Sequence, residues 1–231
     1  MTVPEEKSDL YQFMVEKGCL KQKVYQNTYE TFQMLKKVLE KMIKKYQLKK
    51  IKSEYQVPFE LKEKSRNEFE LRVAGDVLIF LMHTNVFEFP RDHFIHKTSY
   101  VKEDSTRSYC GIINILNFLN DSFKFHRVND IGYLIGRLFI NKDLHFHLDG
   151  KKELRLLPNN FVDTVIDEKK VEQIIEAAIR YIIGFDLLTP PYDSVKEVKV
   201  GEIITAMDSM SLKTGKRLGF KFQADLEDIE K

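Results

Sequence analysis

His145-Phe146-His147-Leu148-Asp149 is the stretch of this chain whose residue types and spacing could do chemistry. In a β-strand, alternate residues share a face. His145, His147 and Asp149 would therefore present two imidazoles and a carboxylate together, a workable donor set for zinc. The bland alternative is two polar residues on the wetter side of a half-buried strand. His145 and His147 are the candidate metal ligands. A metal-dependent hydrolase is the reading they would support.

The spacing resembles part of the H-x-H-x-D-H motif of the metallo-β-lactamases, with Gly150 standing where the last histidine would be. Asp149-Gly150 also has the composition of a tight hairpin turn. A second group, His93, His96 and His83 with Cys110, matches no standard zinc spacing. Cys110 would be a nucleophile only with a histidine beside it in space. A lone cysteine before an apolar run is more often a small buried hydrophobe. No P-loop, nucleophile elbow or dinucleotide fingerprint is present in the sequence.

Basic segments offer a second chemistry. Residues 21–52 hold ten lysines and two glutamates. Lys41, Lys44, Lys45 and Lys49 belong to this run. Lys213, Lys216, Arg217 and Lys221 form another, with Phe220 and Phe222 nearby. Cations interleaved with aromatics can grip phosphates and stack a base, which would suit a nucleic acid or nucleotide. The alternative is a solvated helix face and a charged tail. Across the whole chain the formal net charge is only +2, so no polyanionic partner is demanded.

The elements that must position these groups follow from hydrophobic periodicity. Tyr25, Phe32, Leu35, Leu39, Met42 and Tyr46 recur mostly at three- and four-residue spacing. They predict an amphipathic helix of up to about twenty-five residues, either one wall of the core or a partner or oligomer face. A shorter helix from a Ser8 cap to about Glu16 is expected before it, interrupted at Gly18. The period then changes to two. Val57–Leu61, Phe69–Val73, Val77–Met82 and Val86–Phe89 read as four short strands of a meander. Residues 90–110 look like a long polar connection, a place where function often lies. Residues 111–125 have helical spacing but also suit a strand. Ile131–Ile140, Leu144–Leu148 and Lys151–Leu157 read as three paired strands. Thr164 and Asp167 resemble a capping box, ahead of a helix that ends at Gly184. Val195, Val198 and Val200 suit a further strand or the start of a short helix.

The fold expected is α+β: an antiparallel sheet of six to eight strands, packed by a long N-terminal amphipathic helix and a later helix near 167–184. Helices and strands are segregated along the chain, which disfavours a doubly wound parallel sheet. Three parts are expected: a helical segment 1–54, an α+β core 55–208 and a charged tail 209–231. Hydrophobic residues make up 43% and charged residues 31%, a globular balance. Two cysteines make no disulfide framework, the N-terminus is polar, and no apolar run reaches membrane-spanning length. A cytoplasmic protein is the expectation. No cofactor is indicated. With no catalytic motif, the leading expectation is a non-catalytic interaction or regulatory protein that binds a protein partner or itself.

Overall fold

The computed structural model describes residues 9–49, 54–157 and 160–201. The Ser8 cap, the basic segment 212–221 and the tail 209–231 lie outside the described residues. A single α-helix, α1 (Leu10–Leu48), opens the described chain. Gly18 does not interrupt it. A glycine inside a helix costs about 1 kcal/mol, which a 39-residue helix docked on the sheet from Val24 to Leu39 absorbs.

Seven strands form one antiparallel sheet: β1 (Phe59–Ser65), β2 (Glu68–Val73), β3 (Asp76–Met82), β4 (Phe87–Glu88), β5 (Tyr109–Leu119), β6 (Tyr133–Asn141) and β7 (Phe146–Gly150). Their order is β1-β2-β3-β5-β6-β7. β4 pairs with the start of β5, Phe87 opposite Cys110, so the fourth strand does not continue the meander beside β3. Residues 111–119 are strand, and of the stretch 111–125 only Asn120–Lys124, α3, is helical. Between β4 and β5 lie a 3-10 turn at Phe94–Lys97 and the short helix α2 (Ser99–Glu103). After β7 come α4 (Lys152–Arg155), α5 (Glu168–Ile183) and α6 (Tyr192–Val195). The Lys151–Leu157 stretch is thus a helical turn and not a returning strand.

The β6–β7 turn sits earlier than Asp149-Gly150. It spans Lys142–His145, with Leu144 at φ 61°. The Asn141 side-chain oxygen accepts from the backbone N–H groups of Asp143 and His145 at 2.9 and 3.0 Å, which holds the turn. Gly150 serves packing instead. A Cβ there would lie 2.4 Å from the Ile135 carbonyl oxygen, so only glycine lets β7 approach β6. α5 begins one turn later than the Thr164 reading. Asp167 is its cap, accepting from Lys170 N at 2.8 Å, and Gly184 closes it.

Both faces of the sheet are used. α1 and α5 pack side by side on one face. Phe32 and Leu39 of α1 and Ile174 and Ile175 of α5 meet Phe80 and Ile113 there. Each such buried side chain stabilises the fold by roughly 1.5–3 kcal/mol. α1 packs tightly on Gly111 of β5, where a Cβ would be 2.1 Å from Thr28 Oγ1. On the opposite face, Phe89, Ile95, Tyr100 and Val101 close over Cys110 and Phe139 as a second, smaller core. The polar-looking connection 90–110 is therefore a folded cap over half of that face.

Candidate functional site

The two candidate ligands, His145 and His147, stand two residues apart at the start of β7, and their surroundings separate them. The His145 ring stacks on Tyr100 with centroids 4.5 Å apart and planes within 10°. Its Nδ1 lies 2.9 Å from the Phe161 carbonyl oxygen. His147 lies among other rings: Phe94 at 5.4 Å, Phe139 at 6.0 Å and His93 at 5.9 Å between centroids. His96 Nε2 is 3.0 Å from the Phe89 carbonyl oxygen. His83 Nδ1 accepts from Asn85 N, in the β3–β4 turn. Among the described residues no three His, Cys, Asp or Glu side chains converge as a metal would require. Of the histidines named from the sequence, the structure brings His93 and His147 together. Burial, with help from the neighbouring His96, pushes the His93 pKa below its ordinary 6.5.

The β6–β7 turn is instead a polar hub that ties the cap to the sheet. Tyr100 Oη donates to Asp143 at 2.9 Å and accepts from Asn141 Nδ2 at 3.0 Å. Arg107 lies over the Tyr100 ring, 4.2 Å from its centroid, and its Nη1 donates to the Tyr100 carbonyl at 2.7 Å. Burial raises the Tyr100 phenol well above the usual range, so it stays protonated and able to donate. Lys142 pairs with Asp104, whose carboxyl the Lys142 and Thr106 hydrogen bonds lower to about 2. From the other face, Asn27 of α1 donates to the carbonyls of Asn141 and Lys142. No local pattern announces Asn27, Tyr100, Arg107 or Asn141. Their partners are distant in sequence, and a polar residue on an apolar helix face, as Asn27 is, was the one legible sign.

Cys110 does not suit nucleophilic chemistry. Its thiol is buried in the smaller core, and burial raises its pKa further. The lysines of α1 are in part matched by acids. Lys41 pairs with Glu168 at 2.6 Å, and Lys41 and Lys45 share a groove between α1 and α5 with Glu168 and Glu172. Lys44 and Lys49 are exposed. Lys213, Lys216, Arg217 and Lys221 lie outside the described residues.

The hydrophobic stripe of α1 divides along its length. Phe32, Leu35 and Leu39 are buried in the core and are unavailable as an external face. Tyr25 and Met42 pack partly against the core, and Tyr46 meets Phe59 edge to face at 5.4 Å. The exposed apolar part is the other end of the helix. Lys17 marks where α1 leaves the sheet, with its ammonium 3.8 Å from the Tyr109 ring centroid at the start of β5. Beyond that anchor, Leu10, Tyr11, Phe13, Met14 and Val15 are 54–71% exposed. They form an arm of two helical turns, roughly 10 Å long. Two grooves are also open. One, of about 670 Å³, lies between α1 and the β3–β4 turn and is lined by Lys21, Gln22, Tyr25, Gln26, Val86 and Phe87 among others. The other, of about 400 Å³, lies on the uncapped half of the sheet's second face, over Leu81, Leu116, Phe118 and Phe123.

No helix among the described residues is long and apolar enough to cross a membrane. The chain matches no protein-family model, no curated protein and no solved structure at a significance that would mark a relationship.

Proposed function

We propose that this chain is a non-catalytic interaction protein that docks a protein partner through the projecting N-terminal arm of α1. One observation carries the reading: five of the seven residues from Leu10 to Glu16 are large and apolar, and all five are exposed. Isolated helices of this length are marginal in water, and a helix that is apolar most of the way round is ordinarily buried. An exposed apolar surface of this kind is the usual mark of a binding site. The side chains whose spacing suggests chemistry pack within the fold. His145 and Tyr100 hold the cap, His147 fills an aromatic cluster, and Cys110 is buried.

The test is a photo-crosslinking amino acid placed at Met14 in the full chain, with Lys37 on the exposed side of α1 as the control position. A discrete protein adduct at position 14 and none at 37 is expected. Equal labelling at both positions, or none at 14, would overturn the proposal. An adduct confined to lipid would replace a protein partner with a membrane surface.

A further inference from the structure

We infer that the partner seated on the arm is a second copy of this chain, paired antiparallel about Gly18, with each arm lying in the other's groove beside the β3–β4 turn. The inference rests on the docking role of the arm and names its occupant.

Gly18 is the first observation. It stands inside a long helix, where glycine is unfavourable, and a Cβ there would meet nothing within 4 Å. Nothing among the described residues therefore calls for a glycine. A second helix crossing at that point would, because small residues let two helix backbones approach closely.

Helical spacing supplies the second. At 100° per residue, Tyr11, Met14, Val15, Gly18, Gln22 and Tyr25 share one side of α1. The arm and one wall of the 670 Å³ groove are thus on a single continuous face. A two-fold axis at Gly18 sets Met14 of one copy against Gln22 of the other, Tyr11 against Tyr25 and Leu10 against Gln26. The opposite wall of the groove, Val86 and the half-exposed Phe87, then covers the arm from its second side. A face that is complementary to itself under a two-fold axis is what an isologous dimer needs, and such dimers are the commonest oligomers.

Charge and area agree. Asp9 and Glu16 fall on the side of the helix away from Gly18, so the pairing buries neither. Lys21 is the one charged residue on the shared side, and it meets Val15, where its methylene stem can lie while the ammonium stays in water. Leu10, Tyr11, Met14 and Val15, the arm residues on the shared side, expose roughly 500 Å² per copy, and the groove walls that receive them bring the total toward the about 800 Å² per partner of a standard interface.

The experiment is sedimentation of the full chain, with Gly18→Leu and with Leu10→Lys/Met14→Lys. Wild type should be a dimer at micromolar concentration. Gly18→Leu, which favours the helix and whose Cβ meets nothing within 4 Å among the described residues, should weaken the dimer at least tenfold while the melting temperature of the monomer holds or rises. The arm double variant should be monomeric. Cys19 is exposed and Cys110 buried, so a nitroxide reports Cys19 alone. It should give one short distance between copies, of the order of the 8–10 Å between packed helices plus the label arms. A monomer at all concentrations overturns the inference, as does a dimer indifferent to both variants or one with no short Cys19 distance. A monomer that still crosslinks at position 14 to a different protein would overturn the pairing and leave the docking role standing.

Discussion

Asn27 of α1 donates through Nδ2 to the carbonyl oxygens of Asn141, at 3.0 Å, and Lys142, at 2.7 Å. A helix side chain thus closes a hairpin turn on the far side of the sequence. Asn27 is buried, so water cannot replace it. Asn27→Ala leaves two carbonyls underbonded and is expected to cost about 2–3 kcal/mol, a fall in Tm on the order of 5–10 °C for a chain of this size. Thermal unfolding followed by circular dichroism measures it. A change under 1 °C would show that the bonds do not hold the turn.

Gly111 of β5 packs against Thr28 of α1 with no room for a Cβ between them. Gly111→Ala is expected to destabilise by about 1–3 kcal/mol or more, because Thr28 belongs to a docked helix and cannot step aside. Adding Thr28→Ala removes Oγ1 and Cγ2, leaving only Cβ at 2.8 Å, and should recover part of the loss. A double-mutant cycle on urea midpoints reads the coupling. Strict additivity would rule out the contact.

Tyr100 holds the cap through Asp143 and Asn141. Tyr100→Phe should loosen the cap without opening the sheet. Amide exchange across Phe94–Glu103 is expected to quicken several-fold, while the amides of β3 and β5 keep their protection. Uniform acceleration throughout the chain would mean that the cap does not open as a separate unit.

Acid should act in two stages. The His93 pKa is lowered in the folded chain from its ordinary 6.5 by burial and by His96, against the opposing pull of Asp92 and Asp149; Arg137 adds to the lowering. The unfolded chain then takes up the proton first. The stability tied to His93 is complete above pH 6.5 and declines as the pH falls below it. Asp104 acts in the same sense at lower pH, held at about 2 against an ordinary 3.8. Its contribution is present above pH 3.8 and lost on the way to pH 2. His93→Gln should flatten the first limb of a stability–pH profile, and Asp104→Asn the second. If either limb survives its substitution, another group carries it.

The fold was largely legible in advance because its signals are local. Alternation in Phe69–Val73 and the apolar run Val77–Met82 specify strands, and Val171–Ile182 specifies a helix with Gly184 at its end. Where the reading failed, two local meanings competed. Asp149-Gly150 reads as a turn, but the glycine is there for the strand behind it at Ile135. Residues 111–119 fit helix and strand alike, and pairing with β3 and β6 decides for strand. The candidate site was less legible. His145 and His147 are spaced as metal ligands, yet Tyr100 and Phe161 claim one, and Phe94, Phe139 and His93 surround the other.

By itself, the sequence determined an α+β chain with a long amphipathic helix on an antiparallel sheet, because periods of 3.6 and 2 are properties of neighbouring residues. Only the tertiary structure decided which stretch of that helix is covered. Phe32, Leu35 and Leu39 find the sheet beneath them, while Leu10, Phe13 and Met14 belong to the same kind of stripe but run past the end of β5. The pattern that buries a residue and the pattern that offers it to a partner are the same in sequence. The length of the sheet, set by pairings between distant strands, tells them apart.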